Sequence, residues 1–394
     1  MSANGTFPTM AYAEGRTYFD ADSHIMELQD WLAPYAEPVL RERIGSLKLG
    51  NAGAMADQAV ADATARRGDA AAATKLEDNL MNAKGWSALG AFDPAERSRA
   101  LDLLGFERQL VFSTFSPSQF LFSDDPELRW GGLRAHNRGV ADFCSHDERL
   151  LAVGLVPLDD PEQAAEEVAA CLDDGIAAVH VTHDAPPEMS HTHPAYDGVW
   201  GQLAEAGVPF VLHVGGSRRG IRRSLHNNGL PPVKDFIGGG ENVRSKDYMA
   251  LHHAPEVFVS VMALDGVFDR FPRLHGGAIE LGALWVPSMI TRLELATNNF
   301  RKTEPQLNAM ELKPAEYIRR QMWFTPFPGE PVGQLIELAG EDLFMFSSDY
   351  PHPEGTRDPL GRFEATMEGV SDVARDKFYS ANFADFMRLP VGVG

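Results

Sequence analysis

The chain holds only two cysteines in 394 residues, Cys144 and Cys171. That excludes a disulfide framework and a cysteine-built metal cluster, and it fits a reducing, cytoplasmic setting. Basic charge is scarce as well: 35 Lys and Arg against 56 Asp and Glu leave a net charge of −21. Nucleic acids and anionic membrane surfaces are bound by basic patches, so neither is an expected partner. The acidic excess reads more simply as a source of solubility. Apolar runs such as 208–214 are far too short to span a bilayer. The first 16 residues have neither a basic n-region nor an apolar h-region, so no signal peptide is expected. There is no P-loop and no Gly-x-Ser-x-Gly elbow. Gly238-Gly239-Gly240 lacks the preceding strand that a dinucleotide fingerprint needs.

What is present is the composition of an ordinary globular protein, 44% hydrophobic and 23% charged. Short apolar runs recur at 18–22, 109–114, 151–158, 177–182, 208–214, 278–282, 322–325 and 343–348, and helical patterns at 161–174, 194–206 and 332–338 lie between some of them. Strands alternating with helices mean a parallel sheet, and eight such units predict a (β/α)8 TIM barrel spanning 1–394 as one domain. Two stretches interrupt the rhythm. Residues 45–90, with Ala70-Ala71-Ala72-Ala73, read as an exposed helical insertion that caps the barrel mouth or contacts another subunit. Residues 215–250, rich in glycine and arginine, read as a long mobile loop after the fifth strand, on the face where barrel active sites form.

The candidate chemistry sits at strand ends. The run 343–346 ends in Ser347-Ser348-Asp349 and is then stopped by Pro351 and Pro353, which presents the Asp349 carboxylate at the C-terminal edge of a buried strand. Asp22 and His24 are two apart, so on a strand they share a face and can grip one divalent ion, zinc or manganese. A surface turn explains that pair equally simply. His213 closes the apolar fifth strand. Strands one, five and eight converge only in a closed barrel, so Asp22, His24, His213 and Asp349 together predict a metal site, with Zn2+ the first expectation and Mn2+ the second. Asp349 doubles as a proton acceptor. Glu280 interrupts an apolar run, as a general acid or base, a partner to a metal ligand, or half of a structural ion pair. His252 is within reach of substrate from the stretch before strand six. His180 and His183 have odd spacing, so one of them, His180, is expected to face the barrel. His191 and His193 are expected to be solvent exposed. Arg218, with Arg219, Arg222 and Arg223, forms a candidate carboxylate clamp. His352 lies past the turn, as a loop residue near substrate or behind a ligand.

The segments Asp20-Ala21-Asp22-Ser23-His24, Pro209-Phe210-Val211-Leu212-His213, Gly266-Val267-Phe268-Asp269-Arg270-Phe271-Pro272-Arg273-Leu274, Trp285-Val286-Pro287 and Ser348-Asp349-Tyr350-Pro351-His352 resemble the amidohydrolase-related family. This branch of the amidohydrolase superfamily includes 2-amino-3-carboxymuconate-6-semialdehyde decarboxylase and γ-resorcylate decarboxylase. The resemblance implies a (β/α)8 barrel, a homodimer or higher homo-oligomer, and one divalent metal held by residues matching Asp22, His24, His213 and Asp349. It also implies a small-molecule substrate. The first-strand pair in many relatives is His-x-His or Glu-x-His, where this chain has Asp22. The decarboxylases carry a histidine where this chain has Glu280. On that difference the expected activity is hydrolysis of an amide, ester or activated C–C bond by a metal-activated water. Decarboxylation of an aromatic or muconate-type acid is the alternative, and an inactive binding barrel the third reading.

Overall fold

The apolar runs become parallel strands. The computed structural model describes residues 11–184, 186, 188–217, 221–231 and 244–389. Seven strands follow one another in it: β1 (Phe19–Ile25), β2 (Arg108–Ser113), β3 (Leu150–Val156), β4 (Ala178–Val181), β5 (Phe210–His213), β6 (Gly276–Ile279) and β7 (Met322–Phe324). Each pairs with the next in chain order. Every residue of β4 and β5 is buried, as befits strands covered on both faces. Three of the intervening helices, Pro94–Leu104, Pro126–Cys144 and Pro161–Asp173, begin with the same device. Asp93, Asp125 and Asp160 accept first-turn N–H groups, and the proline after each supplies the φ that a first turn requires.

The eighth position is filled irregularly. Residues 343–348 form no continuous ladder, but Phe344 bridges Phe324 and, just beyond, Tyr350 bridges Ser23. Met345 N–H donates to the Phe324 carbonyl at 3.0 Å on one side. On the other, Ala21 N–H donates to Phe346 O at 3.1 Å and Asp349 N–H to Asp22 O at 2.9 Å. The sheet is thereby joined to itself, and the architecture is the (β/α)8 barrel that the alternation predicts. The seam is stapled by Asp20, which is fully buried. Its carboxylate accepts Ser348 N–H at 2.7 Å, the Ser348 hydroxyl at 2.6 Å and Gln109 Nε2–H at 2.7 Å. Arg97, also buried, donates to Gln109 Oε1 at 3.0 Å, to Gly90 O at 2.7 Å and to the carbonyl of His24.

Two expectations shift. The sixth strand starts ahead of 278 because Gly276 and Gly277 belong to it; the Phe210 ring fills the space that a side chain at Gly276 would need. It stops at Ile279, so Glu280 follows the strand rather than sitting inside it. Within 45–90 the chain is helical at Gly53–Arg66 and Ala70–Glu77, yet the first helix is not simply exposed: Ala56, Ala59 and Ala63 are buried on one face. Past these helices, Trp86 stacks on Phe115 with centroids 4.9 Å apart and donates to Glu27 O at 3.2 Å.

Inside the barrel, Ala21, Phe112, Val153, Val211, Ile279 and Met345 form one apolar cluster with Phe383 and Phe386 of the helix Asn382–Met387. Phe383 lies 5.4 Å from Phe19 and Phe386 5.8 Å from Trp323 (ring centroids), so this helix covers the end where the strands begin. Among the described residues no helix is long and apolar enough to cross a membrane.

Asp20→Ala would leave the Ser348 and Gln109 donors buried and unsatisfied. It is expected to cost about 2–4 kcal/mol of unfolding free energy, read as a lower urea midpoint with an unchanged slope. A loss below about 0.5 kcal/mol would show that the seam does not depend on this carboxylate.

Candidate metal centre

At the C-terminal ends of the strands the polar residues turn inward together. β1 brings Asp22 and His24 to one face, β5 ends on His213, Glu280 directly follows β6, and Asp349 follows the eighth segment. His24 Nε2 lies 3.3 Å from Asp22 Oδ1, 3.3 Å from Asp349 Oδ1 and 3.7 Å from Glu280 Oε2. His213 Nε2 lies 3.4 Å from Asp22 Oδ1 and 3.2 Å from Glu280 Oε2. Glu280 and Asp349 both adopt left-handed backbone, with φ of 54° and 52°. For residues with a Cβ this conformation costs of order 1 kcal/mol and persists where the surroundings enforce it. Both carboxylates approach His24 Nε2 from these positions.

Asp22, His24, His213 and Glu280 offer ligand atoms that all lie within 4.8 Å of one another, and so do His24, Glu280, Asp349 and His352. Donors sharing one ion at about 2.0–2.4 Å must lie within roughly twice that distance, so the residues present fit a metal. Asp22 Oδ2 is buried without a hydrogen-bond partner among the described residues, a costly state unless a cation or ligand meets it. The Nδ1 of His213 donates to Val214 O at 2.9 Å, which leaves its Nε2 lone pair facing the cluster. The electrostatics agree. Burial opposes charge on His24, yet Asp22 and Asp349 hold its pKa well above the usual value. Burial likewise opposes charge on Asp22 and Asp349, but His213 and His24 lower the first, and His352 and His24 the second. The carboxylates thus have a standing demand for positive charge that a divalent ion can meet.

Above the cluster opens a cavity of about 680 Å³, lined among others by Phe112, His136, His180, His183, His213 and Leu281. Both His180 and His183 reach it, against the expectation that one would turn away. β4 ends at Val181, so strand alternation does not govern His183. Gly216 makes this possible: a Cβ there would fall 2.3 Å from His180 Nε2 and 2.9 Å from His183 Nδ1. Burial pushes His183 down to about 3 and His180 well below the usual histidine value, so both rings are neutral. His352 is fully buried, stacks on His24 at 3.7 Å, and places Nδ1 3.1 Å from Asp349 Oδ1 and Nε2 2.9 Å from Thr114 Oγ1.

His252 is half-buried 6.4 Å from the Trp285 ring and is not among the residues lining the cavity. Arg218 and Arg219 lie outside the described residues, and Arg222 is exposed. His193 is exposed as expected, but His191 is only 5% exposed. It stacks on Phe258 at 3.8 Å, and its carbonyl accepts the Trp200 Nε1–H, contacts made by the fold rather than by neighbours in sequence. Sequence reasoning passed over Thr114 and His136. The Ser113-Thr114-Phe115-Ser116 stretch closing an apolar strand was the available signal.

The chain matches the family described as amidohydrolase (Amidohydro_2) over residues 20–389. It is 24% identical over 307 residues to the γ-resorcylate decarboxylase of Rhizobium sp. (strain MTP-10005), covering 75% of this chain and 83% of that protein. It is 23% identical over 304 residues to the γ-resorcylate decarboxylase of Polaromonas sp., covering 74% and 86%. Among solved structures, an amidohydrolase of Mycobacterium avium subsp. paratuberculosis superposes with a TM-score of 0.70 at 24% identity, covering 95% of this chain and 100% of that one. The 5-carboxyvanillate decarboxylase of Novosphingobium aromaticivorans, complexed with manganese and 4-hydroxy-3-methoxy-5-nitrobenzoic acid, superposes with 0.60 at 18% identity, covering 95% and 97%.

Purified protein reconstituted with manganese is expected to carry about one equivalent per chain, and His213→Ala or Asp349→Asn to lose it. Elemental mass spectrometry checks this, with circular dichroism confirming that the variants fold. Full metal content in both folded variants would refute the assignment.

Proposed function

The chain belongs to the amidohydrolase family, and on that premise we propose that this enzyme is a metal-dependent carboxy-lyase acting on a small aromatic acid with a hydroxyl beside its carboxylate. The observation that carries the reading is that γ-resorcylate decarboxylases align over about three quarters of the chain, while the family match at residues 20–389 spans the whole cluster. The hydrolytic expectation leaned on Glu280 standing where the decarboxylases carry a histidine, with Glu280 or Asp349 taking the proton of a metal-activated water. Its Oε2 instead lies 3.2 Å from His213 Nε2, among the other candidate donors, which suits a ligand better than an independent base.

Asp22, His24, His213 and Asp349 are the proposed ligands, with Glu280 as a further donor. Three carboxylates and two imidazoles make an oxygen-rich set, which favours manganese over the zinc expected first. The manganese bound in the Novosphingobium decarboxylase supports the same choice. The ion, when bound, would supply positive charge that offsets the substrate's carboxylate. The rest falls to the protein. Asp349, fixed by its left-handed backbone and by His352, relays to the ring carbon that bears the carboxylate a proton that reaches it through His352. The C–C bond then breaks, its electron pair returns to the ring, and carbon dioxide leaves. His352 and Thr114 line up behind Asp349 as the route by which that proton is restored. The neutral rings of His180 and His183 complete the wall that faces the substrate.

Manganese-loaded enzyme incubated with ortho-hydroxy aromatic acids in D2O is expected to release carbon dioxide and leave one deuterium on the ring. Asp349→Asn, which removes a proposed ligand as well as the proton relay, should abolish carbon dioxide release. Incorporation of 18O from labelled water without carbon dioxide release would return the assignment to hydrolysis.

A further inference from the structure

The helix Pro126–Cys144 carries His136 on its buried side, and the ring lines the same cavity as Ser113. The direction of its hydrogen bonds is set from a distance. The buried Glu27 carboxylate accepts N–H groups from Thr114 at 2.9 Å, Phe115 at 3.0 Å and Ser116 at 3.0 Å, and the Ser116 hydroxyl at 2.8 Å. With four donors converging on it, the carboxylate only accepts, so the single hydroxyl proton of Ser116 is committed to Glu27. Ser116 Oγ is also 2.7 Å from His136 Nδ1. Since that oxygen can only accept there, the proton of this second contact belongs to Nδ1. Ser113 Oγ, at 3.2 Å, lies close enough to share the same N–H.

A neutral imidazole has one proton, and burial keeps this one neutral by pushing its pKa down to about 3. Nε2 is left with a bare lone pair, and no group among the described residues donates to it. We propose that His136 Nε2 is a hydrogen-bond acceptor for a hydroxyl group of the bound substrate, a recognition point separate from the metal cluster. An acceptor of fixed polarity favours an O–H or N–H. It disfavours a methoxy or carboxylate oxygen in the same place, where lone pair would meet lone pair. The aromatic identity of the substrate rests on the carboxy-lyase reading. The polarity of His136 rests only on the chain from Glu27 through Ser116.

The test uses full-length, manganese-loaded protein with ring-15N histidine. The signal assigned to His136 by difference with His136→Phe is expected to show a protonated Nδ1 and an unprotonated Nε2. In Ser116→Ala, which removes the acceptor for Nδ1–H, the proton should shift at least partly to Nε2. Calorimetric binding is then measured for ortho-hydroxybenzoates bearing a second hydroxyl at each free ring position, each paired with its methoxy twin. At one position the hydroxyl compound is expected to bind about tenfold or more tightly than its twin, and His136→Phe should bring that ratio towards one. A proton on Nε2 in the wild type, or equal ratios in wild type and folded His136→Phe, would overturn the proposal. If His136→Phe does not fold, His136→Gln supplies the difference spectrum and the tautomer in wild type and Ser116→Ala decides. Retained hydroxyl preference without carbon dioxide release would remove the carboxy-lyase reading and leave His136 standing.

Discussion

Everything at the mouth of this barrel depends on how its first and last strands are joined. The eighth segment is too irregular to hold position by a ladder of its own, and the Asp20 carboxylate supplies the missing bonds, binding both the amide and the hydroxyl of Ser348. One residue past that staple stands Asp349, and two residues from Asp20 on the other strand stands Asp22. The spacing between two candidate ligands is therefore a property of the seam. Gln109 and Arg97 extend the same network to the second strand and to the His24 carbonyl, so all three residues are referenced to one buried polar frame. A frame of this kind is costly to leave half-satisfied and rigid when complete, which suits a site that must gather like charges.

Those like charges conflict with burial. Asp22, Glu280 and Asp349 are brought together where water is largely excluded, and the histidines between them take up part of the negative charge. The left-handed backbone of Glu280 and Asp349 adds conformational strain to the electrostatic one. Stability alone would favour neither feature. Their joint presence at one point, within reach of a sizeable cavity, is the mark of a site kept for binding rather than for folding.

Much of this was legible in the sequence, and the reasons are local. A run such as Phe210-Val211-Leu212-His213 announces both a buried strand and the polar residue at its end, and the two-residue step from Asp22 to His24 fixes a shared face. The barrel followed from counting such runs. What escaped was set by contacts between distant residues. Gly276 and Gly277 fall outside the expected run 278–282 yet serve as strand, with the Phe210 ring against Gly276 and the Phe386 ring against Gly277. His183 falls where alternation no longer applies, and His191 is buried by Phe258, 67 positions away. His352 meets Thr114 across 238 positions, a neighbour that no local pattern reveals. Arg218, read as part of a clamp, lies outside the described residues.

The closing helix at the far end of the barrel has a further consequence for traffic. Phe383 and Phe386 fill the opening beneath the strands, and the barrel interior above them is packed with side chains. The vessel is a blind well. Whatever enters through the mouth must leave by the same way, so under the carboxy-lyase proposal a departing gas molecule and the larger ring it leaves behind would queue at one door. Turnover in such a vessel is governed by the order of departure, and a product that lingers blocks the next arrival as surely as an inhibitor.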